Sequence, residues 1–80
     1  MRVSLVSMKP GQSGILVEIR GGHGVIRRLE ALGLRLYKKI RKVSSMLMRG
    51  PVTVQVGRTQ LAMGFGMARR VIVELGDAAI

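Results

Sequence analysis

The sequence predicts a mainly β protein, a small barrel of about five strands with one short α-helix after the first long strand and a helical turn before the last strand. Three observations predict it. Short apolar runs alternate with period two between glycine or proline breaks, one run near the middle recurs at helical spacing, and the interior must be filled almost wholly by aliphatic side chains, since Phe65 and Tyr37 are the only aromatics. Eighty residues make one domain at most, and a chain of that size buries only about 60 to 65% of the surface its unfolded form exposes, which favours a thin, efficiently shaped core.

The elements follow in order. Val3 to Val6 is a short apolar start, and Lys9-Pro10-Gly11 supplies turn chemistry. In the next run Ile15, Val17 and Ile19 fall on one face and Leu16, Glu18 and Arg20 on the other, the pattern of a half-buried strand. Gly21-Gly22-His23-Gly24 breaks it. Val25, Ile26, Leu29 and Leu32 then share a helical period around the basic stretch Arg27 to Leu34, and Gly33 stands where a left-handed C-terminal cap is wanted. The period does not stop there, because Leu36, Ile40, Val43 and Leu47 prolong it into one long amphipathic helix with a basic face. Against that reading, a glycine inside a helix costs about 1 kcal/mol relative to alanine, and Tyr37 to Met46 is equally compatible with a strand.

Further on, Val52, Val54 and Val56 alternate with Thr53 and Gln55, and Thr59, Leu61 and Met63 alternate with Gln60 and Ala62. A two-residue turn at Gly57-Arg58, with glycine first as the type II′ geometry prefers, would pair Val56 with Thr59, Val54 with Leu61 and Val52 with Met63, all on one face. Met67-Ala68-Arg69-Arg70 has room for one helical turn after Gly64-Phe65-Gly66. Val71, Val73 and Leu75 form the last strand, and Gly76 to Ile80 reads as a tail.

Fourteen lysines and arginines against Glu18, Glu30, Glu74 and Asp77 give a formal charge of +10. That points either to an acidic partner (nucleic acid, anionic lipid or an acidic protein face) or to a solvated surface. The absence of cysteine excludes disulfides and cysteine-based metal sites. No apolar stretch reaches the ~18 residues of a spanning helix, and no signal core follows the N-terminus, so a cytoplasmic location is expected.

Catalysis finds no footing, because five serines share one histidine and no pair of titratable groups is set up for acid–base work. His23 lacks companions for a metal site, and Met46, Met48, Met63 and Met67 are ordinary gap fillers where aromatics are scarce. Gly22-His23-Gly24 lacks the third glycine and the distal acid of a dinucleotide site, and no phosphate-binding loop with its Gly-Lys-Ser/Thr end is present. No catalytic residue, metal ligand, cofactor or small-molecule substrate is therefore assigned.

With these residues in place, the chain resembles the FeoA family, small cytoplasmic proteins of the ferrous-iron uptake system. The resemblance is carried by Met8-Lys9-Pro10-Gly11-Gln12-Ser13-Gly14-Ile15, the glycine loop into Arg27-Arg28-Leu29-Glu30-Ala31-Leu32-Gly33-Leu34, Arg49-Gly50-Pro51-Val52-Thr53-Val54, Leu61-Ala62, and Ala68 with Val71-Ile72-Val73. It implies an SH3-like barrel similar to the C-terminal barrel of iron-dependent repressors, a turn after Leu34 and then a strand, and docking on the cytoplasmic G-protein part of the FeoB membrane transporter.

Arg27, Arg28, Leu29 and Leu32 on the first helix are the expected partner-binding residues, with Gly33 and Gly57 as structural turns. In the first turns of that helix the arginines would oppose the macrodipole, so either an ion pair with Glu30 or a partner carboxylate is expected to hold them. Three departures from the family pattern stand out. Leu36-Tyr37 occupies the usual Pro-Gly, Lys42 stands at an inward apolar position and suggests a bulge that turns Val43 inward, and Gly66 replaces a serine or threonine cap. The rival reading is a basic barrel binding RNA or DNA through the cluster from Arg35 to Arg49, and a third is a metal-sensing module. Whether copies associate is left open.

Overall fold

The computed structural model describes residues 1–45 and 50–76. Strands β1 (Arg2–Ser4), β2 (Ser13–Ile19), β3 (Lys39–Ser45), β4 (Val52–Val56), β5 (Thr59–Met63) and β6 (Val71–Leu75) form one antiparallel sheet in the order β1-β6-β2-β3-β4-β5. A 3₁₀ turn at Leu5–Ser7 follows β1, helix α1 (His23–Ala31) joins β2 to β3, and the single helical turn α2 (Phe65–Ala68) precedes β6. Thus β1 is a strand beyond the expected five, taken from the apolar start of the chain. Leu5, Leu16, Leu29, Leu34, Ile40, Val54, Val71 and Val73 are the heart of the core.

The long-helix alternative fails at Gly33, whose φ is +105°. Gly33 N–H donates to the Glu30 carbonyl and Leu34 N–H to that of Leu29, the paired closure of a Schellman cap. Leu34 and Leu29, both buried, complete it from the apolar side. The chain then reaches β3, and Met46 to Arg49, which include Leu47 of the long-helix reading, lie outside the described residues.

The β4–β5 hairpin has the register read from the sequence, Val56 opposite Thr59, Val54 opposite Leu61 and Val52 opposite Met63. At its tip Gly57 has φ +61° while Arg58 stays negative, which fits type II′ and excludes type I′.

Two strand faces depart from the simple alternation. In β2 the pairing with β6 advances from Leu16–Val73 to Glu18–Ile72, so Val17 is an extra, bulged residue. The bulge reverses the face: Leu16 is buried before it and Ile19 after it, while Ile15 is exposed and Val17 half-buried. Ile15, Val17 and Ile19 therefore do not share the one face that unbroken alternation gives them. In β3 the register slips between Lys42 and Ser44, which places the expected bulge at Val43. Its consequence is the reverse of the expectation, because Lys42 is the inward residue at 1% exposure and Val43 is only half-buried. The Lys42 ammonium donates to the carbonyls of Leu5 (3.1 Å), Val6 (3.2 Å) and Met8 (2.6 Å). Its three protons thus serve the C-terminal end of the 3₁₀ turn, where the Leu5 carbonyl also accepts from Met8 N–H (3.2 Å).

The turn into β3 keeps its shape without its usual residues. Lys38 N–H donates to the Arg35 carbonyl at 3.3 Å and Tyr37 N–H to that of Leu16 at 2.6 Å. Tyr37 has φ +69°, the one non-glycine residue with positive φ among those described. This is a type II turn with Leu36 and Tyr37 at its centre, where proline and glycine fit best. A side chain held in this region costs about 1 to 2 kcal/mol, and Tyr37 is 75% exposed, so little packing repays it. Tyr37→Gly should therefore raise stability by about 0.5 to 1 kcal/mol after the extra freedom of unfolded glycine is counted. In a domain this small, thermal unfolding should register that as a Tm increase of roughly 3 to 6 °C.

Candidate docking surface

Helix α1 lies outside the strand order and is the natural carrier of a surface site. It begins at His23, with Gly22 as an N-cap that has no side chain to offer, and ends under the glycine cap described above. Leu29 is buried at 1%, and Val25 and Ile26 pack partly against the core. The spacing that makes α1 amphipathic thus uses Leu29 for anchorage, and it cannot face a partner as expected. Leu32, at the C-cap, is the apolar residue left over, 46% exposed. Arg27, Arg28 and Ala31 complete the outer face.

The earlier start of the helix also changes the electrostatics. Arg28 lies in the last turn of α1, where the macrodipole favours a cation, so the expected dipole penalty does not apply to it. Among the described residues the ion pairs are those of Glu74 with the terminal amine of Met1 and with Arg2 (3.3 Å), and of Glu18 with Arg20 (3.4 Å). Neither Arg27 nor Arg28 is in them, and Glu30 holds no arginine there. Glu74 has its pKa lowered chiefly by its hydrogen bond to the terminal amine, which outweighs the opposing desolvation, with Arg2 adding a lesser lowering.

Open grooves flank α1 on both sides. One runs between Leu32 and Gly33, Lys38 and Lys39, and the hairpin residues Val56, Gly57 and Thr59. Another lies between Val25 and the α2 region, with Gly66, Met67, Arg69 and Arg70. Arg70 accepts at its carbonyl from Arg20 N–H and Arg69 from the Ser4 hydroxyl (3.1 Å), so the backbone beneath these two side chains is fixed. The helical turn α2 starts two residues before the Met67 start read from the sequence and is capped by Gly64, not Gly66.

His23 is exposed at the start of α1. No three side chains of histidine, cysteine, aspartate or glutamate converge among the described residues. Met63 is buried and Met67 packs partly on the core, while Met46 and Met48 lie outside the described residues. No described helix is long and apolar enough to cross a membrane.

Comparison with known proteins agrees with this architecture. A FeoA crystal structure superposes with a TM-score of 0.83 at 40% identity, over 92% of this chain and 96% of that one. The FeoA of Stenotrophomonas maltophilia, solved with zinc and described as a procaryotic SH3 domain protein, matches with a TM-score of 0.77 at 28% identity, over 90% and 89%. A candidate Fe(2+) transport protein A of Methanocaldococcus jannaschii is 29% identical over 70 residues, covering 88% of this chain and 83% of that protein. A manganese-dependent transcriptional repressor shares the fold alone, with a TM-score of 0.86 at 17% identity over 42% of its length. The fold is therefore the SH3-like one, and the FeoA domain matches residues 3–75, nearly the whole chain. With that span matched, the chain belongs to the FeoA family.

Proposed function

We propose that this chain is a non-enzymatic accessory protein of ferrous iron uptake that works in the cytoplasm, docks on the G-protein region of a FeoB-type membrane transporter and modulates it. The observation that carries the docking surface is the outer face of α1, where Arg27 and Arg28 are exposed outside any ion pair among the described residues and stand beside the exposed Leu32. An apolar side chain ringed by available guanidinium groups is a fit for a partner that offers carboxylates around an apolar spot. Leu29 acts from behind, by holding the helix to the core.

Arg28→Glu tests the reading without touching the core. It should weaken binding to the purified cytoplasmic region of the transporter by about 2 kcal/mol, roughly 30-fold, and reduce ferrous iron uptake in cells, while the misplaced charge at the end of α1 lowers the stability of the domain by no more than about 1 kcal/mol. Full binding and uptake in the variant would remove α1 as the docking face.

The exposed cations Arg35, Lys38, Lys39 and Arg41 favour a second reading, a nucleic-acid surface. Stacking platforms on such surfaces are built from aromatic side chains, and here Tyr37 stands alone among these cations. Affinity for RNA or DNA that falls with salt at a log–log slope of about −0.7 to −0.9 per phosphate contacted would support it.

A further inference from the structure

The described large apolar side chains that stand exposed are Met1, Ile15, Leu32, Leu36 and Tyr37, and all but Met1 gather at the end of the molecule where α1 turns into β3. Leu36 and Tyr37 form the tip of the type II turn, 43% and 75% exposed. Leu32 borders the groove shared with Lys38 and Lys39, and Ile15 pairs across the sheet with Lys39. Arg35 and Lys38 bracket the tip, and Arg28 lies one helical turn before Leu32. Glu30 is the only acid between Ile19 and Val73, so the field around this end is strongly positive.

We propose that this end of the domain is a peripheral membrane anchor that binds an anionic phospholipid bilayer. Arg35, Lys38 and Lys39 would lie among the headgroup phosphates, with Tyr37 and Leu36 at the headgroup–acyl boundary. Charge complementarity selects an anionic surface. Exposure selects the bilayer over an acidic protein, because Tyr37, the most exposed of these side chains at 75%, stands with Leu36 at the tip of the turn. A protein would need a matching pocket to receive that tip, whereas a bilayer interface closes around it. A tyrosine, apolar in body and polar at its tip, suits that boundary. The left-handed backbone at Tyr37 is also accounted for, since glycine would ease the turn but remove the side chain at its apex.

Vesicle flotation with the full chain tests this, using phosphatidylcholine vesicles with and without one-third phosphatidylglycerol and no other protein, so that failure here leaves docking by α1 untouched. Binding is expected to the anionic vesicles alone and to weaken with salt. Arg35→Gln with Lys38→Gln should weaken it about 25-fold, at about fivefold per cation near the surface. Tyr37→Gly, which keeps the turn, should weaken it severalfold with folding intact by circular dichroism. Arg69→Gln with Arg70→Gln removes the same charge elsewhere and should change it less than about threefold. Absence of flotation at low salt overturns the proposal. So does equal weakening by the two arginine and lysine pairs, which would mean diffuse attraction by net charge, and so does indifference to Tyr37→Gly.

Discussion

Replacing Lys42 with methionine should cost the domain about 3 kcal/mol, a large share of the roughly 5 to 10 kcal/mol available to a chain of this size. Methionine fills most of the space of the lysine stem but brings no donors. The carbonyls of Val6 and Met8 would lose the ammonium that holds them, while that of Leu5 would keep only Met8 N–H. Lys42→Ala should cost more, since it adds a cavity. Burial holds the Lys42 ammonium below the usual lysine pKa of 10.5. Through the alkaline interval beneath 10.5 the unfolded chain therefore binds more protons than the folded one, and the lysine's contribution to stability rises with pH there. Urea unfolding at neutral and alkaline pH checks both points. The wild type should gain on the methionine variant across that interval, and a loss under about 1 kcal/mol at neutral pH would show that the carbonyls find other donors.

The second large effect is expected at Gly14 in β2. A Cβ there would lie 2.5 Å from the Glu74 carbonyl oxygen and 2.6 Å from a methyl of Val73. Neither can yield easily, because Glu74 and Val73 belong to β6, which pairs with β1 on one side and β2 on the other. Even Gly14→Ala must push two central strands apart, a cost of about 3 kcal/mol or more, seen as a Tm decrease of roughly 10 to 20 °C. Gly33→Ala is a useful contrast. It meets open space and bears only the strain of a positive φ, so its loss should be about 1 to 2 kcal/mol. Equal effects at the two glycines would contradict the packing account.

The contrast between legible and illegible parts of the sequence follows from how far the deciding contacts lie. The hairpin at Gly57 was readable because it depends on a few adjacent residues and on the one residue type that takes a positive φ freely, whereas the apolar period runs on through Gly33 and left the helix stop open until the family resemblance favoured it. The face of β2 was not readable, because alternation assumes an unbroken pleat, and the bulge at Val17 is set by pairing with β6, far along the chain. Lys42 was placed wrongly for the same reason. Its acceptors lie 34 to 37 residues away, and nothing beside it in sequence announces them.

At the candidate site, helical spacing gathered Leu29 and Leu32 together, and only the sheet beneath them shows that Leu29 is consumed by the core while Leu32 is left outside. The dipole argument for the arginines depended on where the helix begins. That start was hard to see because a glycine cap at Gly22 carries no side-chain signal.

The claim that the outer face of α1 meets the transporter is tested most directly by NMR, titrating the purified G-protein region into labelled domain at low salt. The account predicts that the amide shifts of Arg27, Arg28, Ala31, Leu32 and Gly33 move first and most, with β4 and β5 almost still. A perturbation centred on the β4–β5 hairpin, or none at all at saturating partner, would contradict it.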